Sequence, residues 1–361
     1  LLEAPRSPAA LGVALRFQHL ASGWLIYAYN EQAAHDAAFI DSSAWPISSQ
    51  EFDEEQRAVA QALDAAGERS SRPAPGVPKD AALPGASIGI VTLCAYPSGA
   101  ALPRLAASVH SLYARRHGYG YQCRREEDLS EGRPPAWGKV RAMQEAIDAG
   151  PHEWLLWVDC DSFFMDLSTR VESLLLRYGS PPGVAAGDAG AAAPAVDEGV
   201  HLLLTEDTQM LNTAVFLMRR SQWSKDFLQR VWGPADSPFV NHTWWEQAAF
   251  AHALLGDNHR RLAAGAGALG GGALLAYPRE VRVVPQREMN SYHPIASRLV
   301  GETWEPGRFV LSFNGVQSLS GPGVARVLHA NYYDVFCQLN DLGRLCDAEN
   351  GTELAPWLPL S

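Results

Sequence analysis

Two aspartates, Asp159 and Asp161, follow directly after an unbroken apolar run from Trp154 to Val158. On an extended chain, residues two apart project to the same side, with their Cα atoms ~7 Å apart. Two such carboxylates repel each other unless a cation lies between them, and hard oxygen ligands favour Mg²⁺ or Mn²⁺ shared with phosphate oxygens. The pair therefore indicates a metal and phosphate site. The alternative is a polar turn, in which Asp159 accepts backbone hydrogen bonds and Asp161 caps the next segment.

A buried strand is the element that must position this acid pair. The run from Trp154 to Val158 has the length and the continuous apolar character of a strand covered on both faces in a mostly parallel sheet. Open α/β sheets bind ligands at the carboxyl ends of their strands, where the two acids stand. The preceding elements are predicted to be strands Ile88 to Ala95 and Tyr119 to Cys123, a helix carrying Leu105, Val109 and Leu112, and a helix from Lys139 to Asp148.

The elements after the acid pair are predicted from the same periodicities. Thr169 and Glu172 match a capping box before a helix, and Ser221 is placed to cap another. The remaining predictions are strands Leu211 to Met218, Val281 to Val284, Phe309 to Phe313 and Arg326 to His329, and a helix from Trp244 to Leu255.

The rest of the chain is interpreted as connections and a less regular beginning. Residues 70–84 and 181–199 are rich in Pro, Ala and Gly and are typical of a linker and an exposed loop. Gly265 to Gly270 matches the G-x-G-x-x-G fingerprint, but no clear strand precedes it, so a flexible connection is favoured. Trp24 to Tyr29 is predicted to be a strand and Glu54 to Ala66 a helix.

Composition restricts the class of protein. The chain has 361 residues, 47% of them hydrophobic and 19% charged, which predicts a folded globular protein. Its formal net charge of -11 argues against nucleic acid or an anionic membrane surface as a partner, because either needs a basic face. No apolar run reaches the ~20 residues of a membrane-spanning helix. Because the chain begins at Leu1 and not at Met, we expect any membrane anchor to lie outside it.

The five cysteines match no zinc module. Cys94, Cys123 and Cys160 fall in predicted core strands, where we expect free thiols that behave as small buried hydrophobes. Cys337 and Cys346 are close together in the tail and are the candidates for a disulfide.

Several separate blocks carry a resemblance to a known family. In order, they read AWGKVRAMQEAI, EWLLWVDCDSFF, LNTAVFLMRRSQWSKDFL, WWEQAAF, VVPQREMNSYHP and WEPGRFVLSFNGV, between Ala136 and Val316. This succession resembles glycosyltransferase family 34, which contains fungal α-mannosyl- and α-galactosyltransferases and plant xylosyltransferases. The resemblance implies an α/β protein of the GT-A (Rossmann-like) fold, with a mostly parallel central sheet flanked by helices. It also implies a nucleotide-sugar donor, a Mn²⁺-type cofactor and transfer with retention of anomeric configuration.

Residue by residue, the resemblance assigns roles to two motifs. Asp159 and Asp161 occupy the family's D-x-D, which binds the metal and the donor's diphosphate and ribose. Glu246 and Gln247 occupy its acidic-Gln pair beside the reacting sugar, and they are the catalytic candidates. By spacing alone, the alternative for this second pair is a solvated helix face.

Further candidates for substrate contact come from residue chemistry. Trp245 beside such a site offers a flat face to a sugar ring, with a plain core position as the alternative. Asn212 opens its block and is expected to hydrogen-bond a sugar hydroxyl, unless it is a strand-edge turn residue. Lys139 and Arg287, with Arg219 and Arg220, are cations that can meet phosphate, although surface cations are mostly just solvated.

One departure from the family concerns the metal. The family's final H-F-x-G-C block supplies a histidine ligand, but the matching residues here begin with Ser312 and Phe313. A serine hydroxyl is a poor substitute for imidazole towards Mn²⁺. His329, in the strand-like stretch RVLHANYY, is the candidate third ligand, and a structural histidine at a strand end is the alternative.

The main hypothesis is a metal-dependent retaining α-glycosyltransferase. It would move galactose, xylose or mannose from a UDP-sugar, or alternatively a GDP-sugar, to a glycan or glycoprotein, with Mn²⁺ or Mg²⁺ as cofactor. The alternatives are a GT-A transferase of another family, including an inverting one, and a glycan-binding subunit whose metal site has decayed. The expected location is the Golgi lumen, as a type II membrane protein in full length. The expected organisation is an extension over residues 1–84, a catalytic domain over 85–336 and a tail over 337–361.

Overall fold

The computed structural model describes most of the chain from residue 76 onward. The described residues are 76–97, 99–125, 127–181, 195–207, 211–242, 244–263, 277–297 and 302–342, with two short stretches, 14–20 and 23–29, near the beginning. The predicted helix from Glu54 to Ala66, the glycine-rich segment from Gly265 to Gly270 and Cys346 lie outside these residues, as does most of the predicted loop over 181–199.

The strands include all but one of those predicted from the sequence. In chain order they are β1 (Ala14–Leu20), β2 (Gly23–Tyr29), β3 (Ile88–Leu93), β4 (Gly120–Arg124), β5 (Trp154–Val158), β6 (Ser162–Phe164), β7 (Leu202–Glu206), β8 (Leu211–Arg219), β9 (Val281–Val284), β10 (Ser291–Tyr292) and β11 (Val310–Ser312). The pair β1 and β2 forms an antiparallel hairpin, and this agrees with the strand predicted from Trp24 to Tyr29.

The helices alternate with these strands. In chain order they are α1 (Leu102–His117), α2 (Gly138–Ala149), α3 (Val171–Tyr178), α4 (Gln222–Trp232), α5 (Trp245–Ala263), α6 (Gln286–Met289), α7 (Pro294–Ser297), α8 (Val316–Ser320) and α9 (Pro322–Leu339). No helix among the described residues is long and apolar enough to cross a membrane.

The central sheet of the described chain has the order β4-β3-β5-β8-β7-β9. Strand β8 runs antiparallel to both of its neighbours, whereas the pairs β3/β4, β3/β5 and β7/β9 are parallel. Strand β5 is buried along its whole length, as its continuous apolar run predicts. The predicted class, an α/β fold with a mostly parallel central sheet flanked by helices, is confirmed.

Two hydrophobic cores cover the two faces of this sheet. Along β5, Leu156 and Val158 face the core that contains α1 and α9, whereas Leu155 and Trp157 face the core that contains α2, α4 and α5. The alternation follows from the two-residue period of a strand. Because helices cover both faces, the loops at the strand ends are what remain open to ligands.

A second, smaller sheet lies beside the carboxyl end of β5. It has the order β10-β11-β6, and β6 begins immediately after the acid pair. The backbone N–H of Phe313 donates to the carbonyl oxygen of Asp161 at 2.9 Å. Strand β6 was not predicted, because its three residues are too few to show a period.

Two sequence predictions about local structure are wrong. The segment from Arg326 to His329 is part of helix α9, not a strand. Thr169 and Glu172 do not form a capping box: helix α3 has Arg170 at its N-cap without a side-chain cap bond. Thr169 donates instead to Asp166, and Glu172 accepts from Arg170 and Tyr119. The predicted cap at Ser221 is confirmed, since its Oγ accepts from the backbone N–H of Ser224 at 3.2 Å.

Candidate functional site

The acid pair lines a cavity of about 830 Å³ at the carboxyl end of β5. Residues from the ends of β3 and β5, from the starts of β8, α2 and α5, and from the turn after β11 line it. The polar and aromatic side chains that line it include Tyr96, Lys139, Asp159, Asp161, Asp207, Asn212, Thr213, Trp244, Trp245, Glu246, Gln247, Tyr292 and Asn314. The two predicted motifs, separated in sequence, thus share one cavity.

Neighbouring strands hold the backbone of the acid pair. The N–H of Asp159 donates to the carbonyl of Ala214 in β8 at 2.8 Å, and the N–H of Ser162 donates back to the carbonyl of Asp159 at 3.0 Å. The indole of Trp157 donates to Oδ1 of Asp159 at 2.7 Å. A tight turn therefore does follow β5, but its two carboxylates point into a cavity.

Burial and like charge act together on Asp161. Burial, followed by the charge of Asp159, raises the pKa of Asp161 to about 7. The same two acids, after burial, raise the pKa of Tyr96, a lining residue of the cavity that is 37% exposed. The carboxyl end of β5 is therefore a place where an added positive charge is favourable.

Lys139 connects the two motifs. Its ammonium lies 3.1 Å from Oδ1 of Asp159 and 3.0 Å from Oε1 of Glu246, and it donates to the backbone carbonyl of Thr213 at 2.9 Å. Burial lowers the pKa of Lys139, but the charges of both carboxylates outweigh burial and raise it. Lys139 was expected to meet phosphate. In the structure its charge is already shared between two acids.

The start of α2 packs closely against the side chain of Leu93 where it carries Lys139. Lys139 is the second residue of α2, after Gly138, and a Cβ at residue 138 would lie 2.6 Å from the side chain of Leu93 at the end of β3. A larger residue at this position would therefore require the side chain of Leu93 to shift.

Glu246 and Gln247 lie in the first turn of α5, facing β8. Glu246 is only 4% exposed, so the alternative of a solvated helix face is wrong. Oε1 of Glu246 accepts from the hydroxyl of Thr213 at 3.2 Å, and Oε1 of Gln247 accepts from the backbone N–H of Thr213 at 3.2 Å. Hydrogen bonds thus join the start of α5 to β8, the strand that also accepts from the backbone N–H of Asp159.

Trp245 combines an unusual backbone with an exposed ring. It is 44% exposed and has a φ of 41°. A positive φ is uncommon for a bulky side chain, and such outliers persist where the surrounding structure holds them. The plain core position is therefore wrong for Trp245, whose ring is open to the cavity.

Asp207 is a cavity residue that sequence reasoning missed. It follows β7, is 6% exposed, and accepts from the hydroxyl of Tyr292 at 2.6 Å and from Nδ2 of Asn212 at 3.1 Å. Oδ1 of Asn212 accepts from the backbone N–H of Ala214 and from Nδ2 of Asn290, so both ends of this amide are hydrogen-bonded within the protein. The available signal was an acid directly after β7, three residues after its short apolar run Leu202 to Leu204, which resembles the pattern noted at Asp159.

The remaining predicted residues lie away from the cavity wall. His329 packs against Phe163 and Phe313 within α9, and burial, followed by the charge of His293, lowers its pKa to about 4. Arg287 pairs with Glu302 at 3.5 Å. Ser312 is buried and accepts from the hydroxyl of Ser162. Arg219 and Arg220 bind Glu153 and the carbonyl of Gly150 respectively.

The expectation of free thiols at residues 94 and 160 is wrong. Cys94 and Cys160 form a disulfide with a Cα–Cα distance of 5.2 Å. Both cysteines stand at the carboxyl ends of the adjacent parallel strands β3 and β5, which brings them within reach of each other. Cys123 is free, as predicted. The pairing of Cys337 with Cys346 stays a prediction, because Cys346 lies outside the described residues.

The charges of the wall fit a divalent cation. Among the described residues that line the cavity are four carboxylates (Asp159, Asp161, Asp207 and Glu246) and one ammonium, that of Lys139. An anionic diphosphate entering such a cavity needs an added positive charge, and paired aspartates are ligands that Mg²⁺ and Mn²⁺ prefer. No cluster of three or more metal-binding side chains occurs in the part of the chain described here, so water and phosphate oxygens would complete the shell.

These features define an α/β protein with an acidic cavity at the carboxyl ends of its central strands. Residues 106–321 match the galactosyl transferase GMA12/MNN10 family, and this match covers more than half of the chain. The chain belongs to that family, which confirms the resemblance found in the sequence.

The curated relatives are longer than the part of them that this chain matches. An uncharacterized alpha-1,2-galactosyltransferase of Schizosaccharomyces pombe is 25% identical over 56% of this chain and 58% of its own length. A probable alpha-1,6-mannosyltransferase of Saccharomyces cerevisiae, MNN10, is 29% identical over 34% of each chain. The chain thus spans little more than half the length of the first and a third of the second. A glycosyltransferase involved in glycosylation of the major capsid of PBCV-1 is similar in structure, with a TM-score of 0.41 and 13% identity over 69% of this chain and 98% of that one.

Proposed function

We propose that the protein is a metal-dependent retaining α-glycosyltransferase, which moves galactose, xylose or mannose from a nucleotide-diphosphate sugar to a glycan or glycoprotein. The observation that carries this proposal is the single cavity lined by the acid pair Asp159 and Asp161 and by Glu246 and Gln247. During sugar transfer, negative charge develops on the departing diphosphate and positive charge on the sugar. The reaction therefore needs a bound metal beside the diphosphate and a carboxylate or amide oxygen beside the sugar.

The acid pair is the proposed binding site for Mn²⁺ or Mg²⁺. The metal, when bound, supplies positive charge to the diphosphate as the bond from the anomeric carbon to the phosphate oxygen breaks. The donor is a UDP-sugar, with a GDP-sugar as the alternative. Lys139 does not replace the metal, since its ammonium is held by Asp159 and Glu246.

Glu246 and Gln247 are the proposed groups beside the reacting sugar. A new bond forms between the anomeric carbon and an acceptor hydroxyl, and the departing diphosphate takes up the proton of that hydroxyl. At an effective dielectric of 20, one charge pair 4 Å apart contributes about 4 kcal/mol, or roughly three decades of rate if it is realised only in the transition state. Fixed hydrogen bonds to Thr213 keep both side chains in place, so little reorganisation is needed.

Two further wall residues are assigned to substrate contact. The carboxylate of Asp207, which lines the cavity, is oriented by Tyr292 and Asn212, and we propose that it accepts hydrogen bonds from sugar hydroxyls. The exposed ring of Trp245 offers an apolar face to the acceptor, as aromatic side chains at binding sites commonly do.

The oxidised pair Cys94 and Cys160 supports a location in the secretory route, with the Golgi lumen as the proposed compartment. Disulfides persist in oxidising compartments and are rare in the cytosol.

The test combines binding and turnover. UDP and GDP, and their sugars, are added with and without MnCl₂ and with and without glycan acceptors, while the melting temperature and donor turnover are followed, and NMR reports the anomeric configuration of any product. Mn²⁺-dependent stabilisation together with an α-linked product supports the proposal. An inverted product assigns another transferase mechanism, and binding of glycans without donor turnover assigns a glycan-binding subunit.

A further inference from the structure

The Cys94–Cys160 disulfide occupies an unusual place, because Cys160 is the residue between the two acids of the proposed metal site. Cys160 lines the cavity, yet both cysteines are at most 3% exposed. The bond joins the acid pair to the end of β3, two residues before Tyr96, which also lines the cavity. It therefore links the ends of the two adjacent strands β3 and β5, both of which contribute residues to the cavity, through covalent atoms.

Each residue of the triplet Asp159, Cys160 and Asp161 is attached to a different part of the fold. Asp159 is held to β8 by its backbone N–H, and Asp161 is held by the N–H of Phe313, after β11. The side chain of Cys160 makes the third attachment, to Cys94. The three attachments together determine where the two carboxylates stand relative to each other and to Tyr96.

The forces within the triplet explain why such an attachment is needed. Two carboxylates separated by a single residue repel each other, and a turn that can relax separates them. A metal site needs the opposite arrangement, with both oxygens held at the spacing of one cation before that cation arrives. A covalent bond at the central residue opposes the separation without occupying any carboxylate oxygen.

We propose that Cys94 and Cys160 are positioning residues, whose disulfide holds the acid pair ready for a divalent cation and a nucleotide diphosphate. This inference rests on the proposed function of the cavity. It predicts that the oxidised chain binds a nucleotide diphosphate with metal more tightly than the reduced chain does. By linkage, bound metal and nucleotide must protect the bond from reduction to the same extent.

The first experiment compares the Cys94→Ala/Cys160→Ala double variant with wild type. We expect the Mn²⁺-dependent affinity for UDP to fall roughly 10- to 100-fold, the range typical of disturbing groups that orient metal ligands, while the weak affinity for UDP without metal is unchanged. Cys123→Ala is the matched control, since Cys123 is free and lies on the neighbouring strand β4. The control should bind as wild type does.

The outcomes separate this inference from the proposed function. Wild-type Mn²⁺-dependent affinity for UDP in a folded double variant overturns the positioning role alone. Absence of any Mn²⁺-dependent binding of UDP or GDP by wild type overturns the proposed function, and the inference with it.

A second experiment uses the wild-type chain and does not depend on folding of the variant. The chain is treated with tris(carboxyethyl)phosphine, which is oxidised to its phosphine oxide as the disulfide takes up two electrons and two protons. Mass spectrometry of alkylated peptides then reports the reduced fraction of Cys94 and Cys160. We expect UDP with MnCl₂ to lower that fraction and UDP alone to leave it unchanged. Equal reduction under both conditions overturns the proposal.

Discussion

The Nζ atom of Lys139 lies 3.0 Å from Oε1 of Glu246, and both side chains are at most 6% exposed. The same ammonium lies 3.1 Å from Asp159, so one cation joins an acid of the proposed metal site to the proposed catalytic acid. Removing one partner of a buried ion pair leaves an uncompensated charge and destabilises a protein strongly. Lys139 therefore connects the stability of the fold to the charge state of the site.

Replacing Lys139 tests this connection. We expect Lys139→Met to lower the free energy of unfolding by about 3 kcal/mol, because the buried carboxylate of Glu246 and the partly exposed one of Asp159 lose their cation. Glu246→Gln keeps the shape and removes one of these charges, so the double variant should lose less stability than the two single losses added together. Urea unfolding measures all four proteins. Strictly additive losses contradict the coupling.

Asp161 should matter for metal binding and not for stability. Asp161→Asn removes a buried like charge, so we expect Mn²⁺-dependent binding of UDP and donor turnover to be lost while the melting temperature stays the same or rises. Asp166→Asn is the matched control. That carboxylate accepts from Lys79, Ser168 and Thr169, so its loss should lower the melting temperature and leave UDP binding intact. Undiminished metal-dependent binding in Asp161→Asn contradicts the metal site.

Trp245 is expected to contribute to acceptor binding. Trp245→Ala should raise the acceptor KM about five-fold, which corresponds to ~1 kcal/mol of lost aromatic contact, and leave UDP affinity unchanged. Trp245→Phe should recover most of the loss. Val327→Ala, at an exposed apolar residue of α9, serves as the control. An unchanged acceptor KM in Trp245→Ala would place the acceptor elsewhere.

His329 provides a test of the metal shell. Because its ring packs against Phe163 and Phe313 in α9, we expect His329→Ala to lower the melting temperature and leave Mn²⁺ affinity unchanged. Isothermal titration with Mn²⁺ and UDP measures the affinity. A drop of 10-fold or more would assign His329 to the metal site after all.

His110 makes stability depend on pH. It is completely buried and its Nε2 contacts the carbonyl of Ser162 at 2.6 Å, and burial lowers its pKa to about 4. Between the ordinary value near 6.5 and pH 4, the unfolded chain binds a proton that the folded chain does not, so stability falls as pH falls. The loss approaches about 3 kcal/mol near pH 4.

The variant His110→Gln keeps an N–H donor and cannot titrate. Urea unfolding from pH 8 to pH 4 gives the free energy of unfolding of wild type and variant. The pH-dependent difference between them is due to His110, because every other group titrates in both proteins. We expect the stability of the variant to fall less steeply below pH 6.5. Parallel curves would mean that His110 is not the source.

The site was predictable where its residues carry a local pattern. Strand β5 and its acids follow from one continuous apolar run. Helix α9 also had a local signal, because its buried residues Ala325, His329, Tyr333 and Cys337 recur at every fourth position, which is a helical period. The β-forming composition of that stretch led to the wrong prediction of a strand, since tertiary packing outweighs propensity.

Other features of the site depend on residues far apart in the chain. Sixty-six residues separate Cys94 from Cys160, and the sequence does not show that β3 and β5 are neighbours. The burial of Lys139 depends on Glu246 in another helix. Such relationships arise from strand order, and strand order is a property of the whole fold.

The antiparallel strand β8 has a consequence for synthesis of the protein on the ribosome. Strand β5 pairs with β3, which is made before it, and with β8, which is made after it. Until β8 emerges, a strand with apolar residues on both faces has one edge unpaired, and such edges associate with other chains. The cavity itself needs residues from Leu93 to Ser318, so it closes only after Ser318 has been made. A nascent chain halted between β5 and β8 should therefore be the species that chaperones bind most strongly.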